Sequence, residues 1–539
     1  MKLKSLAVLL AVGYTVSSFA QGYKDGVEYV KVNLPEEGKI LLVRNMNNPE
    51  TNKAEANYYL GRIELSEGNK AEAKKYFDTG VSNNPNFALN YVGLGAYELV
   101  SGNEKAAKEL FKKATGLAKK DAEVYVEIAR SYYKANATKY TKEIDDYIVK
   151  AKKTDKTNPD IYLFEGEMLA DKEDWGAAAG YYEMAFNFDR EYVPAYVNYA
   201  STYFNVSPKV AIETLNGLVQ RKPQSALAQN RLAETYYRDN QLTNSAKIYR
   251  DYINNPNHFK KDEERFAVLL YFGENYDEAY GLSSTILAEN PNSFLMKRIQ
   301  FLSKAGKKEY EKALEHAKTF FGDNDPKNVY SANDYTTYGE VLKELGQDSL
   351  AIIQYEKAIE INPDKVELLK DLSSAYNHAK EYVKSAEAYQ RFIDSGDYKT
   401  NDLYVLAGRY MTVVATEKEN LEVMNDALAK GIKYINMAIE KVPDDYRLLQ
   451  RKARLYMASD RDAKDQNGFD ANMQLLEFMD KDPENKTKYA DVYKESYGYI
   501  AGCYLQNGDK DKAKEYYNMY LEVDPENDAL RDYINNNLK

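Results

Sequence analysis

The sequence predicts an all-α array of stacked helix pairs, on three observations. First, one set of spacings recurs. Gly346, Ala351, Tyr355, Ala358 and Pro363 are spaced as Gly508, Ala513, Tyr517, Tyr520 and Pro525 are, and as Gly68, Ala73, Phe77, Gly80 and Pro85 are. Second, within each unit the small and aromatic residues fall at i, i+4 and i+7, the stripe of an amphipathic helix. Third, a Pro or Asn cluster closes the units, as in Asn84-Pro85-Asn86, Asn290-Pro291-Asn292 and Asn362-Pro363-Asp364. Proline ends one helix and suits the first turn of the next.

The first helix of a unit is illustrated by Tyr162, Gly166 and Leu169, and the second by Ala178, Tyr182 and Ala185. Turn-formers and charges, here Asp171 to Asp174, separate them. The small residue of the first helix falls at Gly61, Gly95, Ala129, Gly166, Ala200, Ala233, Ala267, Gly339, Ser373, Ala407, Ala453 and Ala501, mostly in steps of 33 or 34. That of the second falls at Ala73, Ala107, Ala178, Ala211, Ala279, Ala351 and Ala513. Helix axes about 8–10 Å apart leave no room for bulk where they cross. Phe77, Phe111, Tyr182, Tyr355 and Tyr517 would fill the space beside each crossing.

Taken together, these residues resemble the tetratricopeptide repeat signature: an aromatic, Leu-Gly, Tyr, Ala, Phe, Ala and Pro at fixed places in 34 residues. Tyr338-Gly339, Ala351, Tyr355, Ala358 and Pro363 match it, and the leading aromatic is Tyr at 91, 125, 162, 196, 335 and 497. The resemblance covers nearly the whole chain after residue 20 and implies a right-handed superhelical solenoid of about fourteen helix-turn-helix repeats. Residues 21–53 would be a degenerate first repeat, with Gly26, Gly38 and Leu42 in the expected places. Residues 54–327 are middle repeats, 328–527 are C-terminal repeats with two insertions, and 528–539 form a capping helix that shields the last repeat. The unit over 293–325 departs from the pattern, because Gly306 to Tyr310 reads as a lengthened internal turn. The insertions lie at 412–429 and 459–468 and are expected as loops or lengthened helices on one edge.

Residues 1–20 read as a leader. Lys2 and Lys4 precede an apolar run from Leu6 to Val16, and Ser18-Phe19-Ala20 puts small residues before a cut after Ala20. The run is too short to span a bilayer, and no later segment is apolar enough to do so. The chain is expected to be exported, to a periplasm or beyond the cell. Cys503 is the lone cysteine, so no internal disulfide can form, and it reads as a small buried core residue.

The net charge of -11, from 73 basic and 84 acidic residues, argues against a nucleic-acid partner, which calls for a basic face. The three histidines, His258, His316 and His378, have no metal-binding spacing, and no nucleophile elbow or glycine-rich phosphate loop occurs. Neither catalytic residues nor cofactors are therefore predicted. Asp460, Asp462, Asp465, Asn467, Gly468 and Asp470 form an oxygen-rich stretch. Aligned as a calcium loop, it puts Ala463 and Gln474 in the end places, so no metal site is assigned.

By analogy with the repeat family, the first helices line a concave groove that takes an extended peptide or a partner's helix. Groove places fall on Tyr58 and Arg62, on Arg130, Tyr133 and Lys134, and on Glu234, Tyr237 and Arg238. Tyr and Arg often dominate binding energy. The carboxylate clamp of some family members is absent, since Lys370 is followed by Ser374 where Asn is required. The reading is a non-catalytic protein-interaction scaffold of the cell envelope whose partners are envelope or outer-membrane proteins. The alternative is a glycan- or peptidoglycan-binding protein that uses groove tyrosines.

Overall fold

The computed structural model describes residues 22–538 apart from 324 and 461; the leader reading falls outside the described residues. Two compact units divide the chain, one running to Ile299 and the other from Gln300.

The first unit opens with α1 (22–31) and α2 (Pro35–Asn45). Helix pairs follow: α3 (Lys53–Ser66) with α4 (Lys70–Asn83), α5 (Ala88–Val100) with α6 (Glu104–Leu117), and α7 (Ala122–Asn136) with α8 (Thr141–Thr154). Next come α9 (Pro159–Ala170) with α10 (Trp175–Phe188) and α11 (Val193–Tyr203) with α12 (Pro208–Arg221). The last two pairs are α13 (Ala226–Arg238) with α14 (Leu242–Ile253) and α15 (Lys260–Phe272) with α16 (Tyr276–Glu289). The division between the units falls within α17 (Phe294–Gly306).

The second unit pairs α17 with α18 (Tyr310–Phe321), then α19 (Ala332–Glu344) with α20 (Asp348–Ile361) and α21 (Leu368–His378) with α22 (Tyr382–Asp394). It continues with α23 (Thr400–Thr416) and α24 (Leu421–Lys441), then α25 (Tyr446–Ser459) and α26 (Gln466–Met479). A short α27 (Asn485–Lys488) leads to α28 (Ala490–Gln506) and α29 (Lys510–Val523). Finally α30 (Asp528–Asn537) covers the last pair, burying Ile534 and setting Tyr533 against Tyr517 at 5.9 Å.

The small residues stand where helices nearly touch. A Cβ on Gly61 would lie 2.4 Å from the Phe77 ring, one on Gly95 2.4 Å from Phe111, and one on Gly166 2.5 Å from Tyr182. At two second-helix places, 245 and 385, serine stands for alanine, and the hydroxyl is satisfied across the crossing. Ser245 Oγ donates to the Ala233 carbonyl at 2.8 Å, and Ser373 and Ser385 each donate to the other's carbonyl at 2.7 and 2.8 Å.

The leading tyrosine also acquires a reason. The hydroxyls of Tyr91, Tyr125 and Tyr162 donate to carbonyls six residues upstream, at Pro85, Lys119 and Lys156. Each pins a first helix to the turn before it. Gln229 does the same to the Pro223 carbonyl.

One expectation is corrected. The 306–310 turn is not lengthened: α17 ends at Gly306 and α18 begins at Tyr310, a three-residue link like that between α15 and α16. Lys308 takes the left-handed conformation (φ 59°) that Gly68 (φ 84°) supplies in the first pair. The turn glycine has been replaced, and Gly306 imitated it two places early. The extra residues lie instead between Phe321 and Ala332. Of the two insertions, 412–429 is mostly helix, absorbed into the longer α23 and α24, whereas 459–468 contains a true loop. In that loop the Asp460 carboxylate accepts the Asp465 amide at 2.6 Å and the Tyr499 hydroxyl at 2.8 Å. Cys503 is buried close by, and burial pushes its thiol up to about 11.

The residues expected as a degenerate first repeat behave differently from the pairs that follow. α1 and α2 form a tight hairpin: a Cβ on Gly38 would meet Val30 at 2.5 Å, and Asn33 turns the link with φ 60°. Beyond its flank on α3, the hairpin reaches residues over 200 positions away, all within the first unit. A solenoid in which each repeat meets only its neighbours has no such contacts.

Candidate functional site

The first helices of the first unit start along one edge, and the hairpin lies across those starts. Its apolar side chains Tyr23, Val27, Tyr29, Val30, Leu41 and Leu42 are buried. The Tyr29 ring stands edge-on to Phe259 at 5.4 Å. Polar contacts fix the register. The Lys31 ammonium lies 3.1 Å from Glu123 and 2.7 Å from Asp160, two carboxylates in the first turns of α7 and α9. Tyr192 donates to the same Asp160, and Tyr59 donates to Glu123 at 3.2 Å. Asp25 accepts from Asn257 at 2.8 Å, Glu28 lies 3.6 Å from Lys222, and Glu37 lies 2.5 Å from Lys261.

Burial dominates the electrostatics here. It pulls Lys31 down, but Asp160 and Glu123 outweigh it and hold the ammonium well above its ordinary range. Burial pushes Glu123 up despite Lys31, and pushes Glu28 up with help from Asp25.

Behind the hairpin, the inner side of the first helices carries a second charged chain. Glu127 accepts from the Tyr58 hydroxyl at 2.6 Å, from Arg62 at 3.0 Å and from Arg130 at 3.1 Å. Arg130 also pairs with Glu167 and covers the Phe164 ring at 4.6 Å. Burial would raise the Glu127 carboxyl, but Arg62 and Arg130 hold it down at about 2.

The expected groove residues therefore divide. Tyr58 and Arg130 are buried and Arg62 is half-buried, all three spent on the array itself. Tyr58 and Arg62 tie α3 to α7, two pairs on, and Arg130 ties α7 to α9 in the next pair. Tyr133 is half-buried and Lys134 exposed; both reach Asp171, at 3.1 and 3.7 Å. Glu234 accepts from the Tyr249 hydroxyl and lies 3.5 Å from Arg265, whose guanidinium covers Tyr237 at 4.2 Å. Arg238 is exposed and covers Phe204 at 3.8 Å. Glu234 also lines a cleft of about 550 Å³ between the hairpin and α13 and α15, with Tyr29, Glu37, Arg231, Phe259 and Arg265.

The sequence reading missed Lys31, Glu123 and Asp160. The signal lay in Glu123 and Asp160 themselves, carboxylates at corresponding first-turn places of successive first helices. In the second unit, Lys370 pairs with Glu367 at 3.0 Å and Asp402 at 3.2 Å and lies over Phe392 at 4.0 Å. It too is committed to the fold. Among the described residues no cluster of three or more His, Cys, Asp or Glu could hold a metal ion, and no helix is long and apolar enough to cross a membrane.

Comparison with known proteins agrees with the repeat geometry. The tetratricopeptide repeat family model matches residues 54–87, 335–365 and 495–527. An uncharacterized protein, ycf37, from Pyropia yezoensis is 35% identical over 66 residues, which are 12% of this chain and 37% of that protein. Among solved structures, the C-terminal part of a TPR repeat-containing protein from Cytophaga hutchinsonii is 24% identical, over 50% of this chain and 98% of its own, with a TM-score of 0.38. A tetratricopeptide repeat protein from Parabacteroides merdae is 16% identical, over 47% of this chain and 98% of its own, with a TM-score of 0.28. The family-model matches alone place tetratricopeptide repeats in both units.

Proposed function

We propose that the chain is a non-catalytic protein-interaction scaffold of the cell envelope that takes a peptide or protein partner on the inner face of its helix pairs. One observation carries this reading. The starts of the first helices in the first unit already hold a helical segment that belongs to no neighbouring pair, through side chains as far apart as Glu123 and Lys261. An array that holds one amphipathic helix along the starts of its first helices is suited to holding another beside it, on the side where Lys134 and Arg238 stand in the last turns of α7 and α13. The envelope address rests on the leader-like residues 1–20.

The glycan alternative draws on the 50 tyrosines, but eight of them, including Tyr58, Tyr132, Tyr249 and Tyr355, are among the largest fully buried side chains. These offer no ring to a sugar. The test reverses Lys134 and Arg238, which are exposed; Arg130 is unsuitable because its pairing with Glu127 and Glu167 holds the array together. Lys134→Glu/Arg238→Glu is expected to keep its helix content and to lose capture of envelope proteins in affinity purification. Equal recovery by the variant and the parent would remove this face from the account.

A further inference from the structure

We infer that the hairpin of residues 22–45 is a displaceable internal ligand, occupying a site that fits a partner's amphipathic helix bearing a lysine. This deepens the scaffold reading and rests on it.

The composition of the contact supports the inference. A hairpin that merely completed a core would meet the array through apolar side chains. This one inserts an apolar face, Tyr23, Val27 and Val30 at i, i+4 and i+7, and surrounds it with charges that the array answers one by one. Lys31 enters a slot made by Glu123 and Asp160, with the Tyr192 ring 5.6 Å from its ammonium. Asp25 meets Asn257, Glu28 meets Lys222, and Glu37 meets Lys261. Polar groups paired one by one inside the contact, with Asp25 fully buried and Lys31 nearly so, make the site specific for one pattern of side chains.

The slot is also chemically selective. Asp160 is buried and Glu123 half-buried against the hairpin, and the pair calls for a cation; without one, two neighbouring carboxylates would be left in a water-poor site. A competing helix must therefore present a lysine at that depth. The hairpin is too short to fold alone, since isolated helices under about 12–15 residues are marginal in water. Once displaced it unravels, and its return is favoured by the short connection over residues 46–52, which keeps its local concentration in roughly the millimolar range. A partner must outcompete that concentration, so the hairpin sets a threshold for binding.

The test uses the full chain and a labelled synthetic peptide of residues 22–45. Lys31→Glu puts a third carboxylate into the slot, and Glu37→Lys sets a second cation against Lys261 at the exposed edge; both changes lie in the hairpin, so the added parent-sequence peptide keeps its own contacts. Both variants are expected to bind the peptide one-to-one, at least tenfold more tightly than the parent chain, whose own hairpin blocks the site. Both should also be cut sooner by protease within residues 46–52. A peptide that itself carries Lys31→Glu should bind neither variant. Folded variants that bind no peptide would overturn the inference. So would a Lys31→Glu chain whose first unit loses its helix content, because the hairpin would then be a keystone and not a ligand. Capture of an envelope partner by the Lys134/Arg238 face, measured separately, would still leave the scaffold reading standing.

Discussion

Gly61 offers a sharp test of the packing rule behind the repeat. A methyl group there would meet three ring atoms of Phe77 at 2.4, 2.6 and 2.8 Å, against about 3.5–4.0 Å for unstrained carbon contacts. The ring cannot withdraw, because a Cβ on Gly93 of the next pair would stand 2.3 Å from it on the other side. Relief requires the helices to part. Overpacking of this kind costs about 1–3 kcal/mol, whereas alanine gains about 0.8–1.0 kcal/mol over glycine in a helix interior. Gly281, exposed in α16 with nothing within 4 Å of a new Cβ, isolates the second effect. Gly281→Ala should therefore raise the urea midpoint of the full chain, followed by circular dichroism. Gly61→Ala should fall below it by the overpacking cost alone, about 1–3 kcal/mol. Phe77→Leu in the Gly61→Ala background should recover part of the difference, since the two positions share one contact. Equal stabilisation by both alanines would refute the crossing geometry.

Other outcomes follow from the same structure. Burial holds Glu28 at about 8 and Glu123 at about 7, against an ordinary 4.5, so the folded first unit binds more protons than the unfolded chain between those limits. Their contribution is full below about pH 4.5 and is lost as the pH rises towards 8, while Glu127, held near 2, acts oppositely in acid. Melting temperature should peak near about pH 4–5 and fall towards pH 8; a profile flat from 5 to 8 would contradict the burial of Glu28. In the second unit Ala351 is fully buried beside Tyr355 and Leu342. Ala351→Leu should cost about 1–3 kcal/mol, and an unmoved thermal transition would show that Ala351 is not at a crossing.

The pairs were legible in the sequence because a crossing demands small residues wherever it occurs, and Gly61, Gly95 and Gly166 repeat that demand at nearly constant spacing. Ser245 and Ser385 keep the place while changing the residue type, and only their hydrogen bonds to carbonyls across the crossing make them readable as members of the series. The turn at Lys308 misled because a non-glycine residue adopts the glycine conformation. The hairpin could not be read as a docked element. Its partners Glu123, Asp160 and Lys261 lie 92 to 230 residues beyond Lys31, and charged residues at helix starts look the same whether they face water or a buried lysine. The pairing of Arg62 and Arg130 could not be read for a related reason: periodicity places a residue on one side of a helix but does not say whether another repeat already pairs with it.

The arrangement of seven helix pairs around their own N-terminal hairpin is tested most directly by zero-length carbodiimide cross-linking of the monomer, followed by peptide mass spectrometry. Glu37 and Lys261, 2.5 Å apart with the lysine exposed, should be joined within one chain. If that amide never forms, or appears only between two copies, the hairpin does not lie where this account places it.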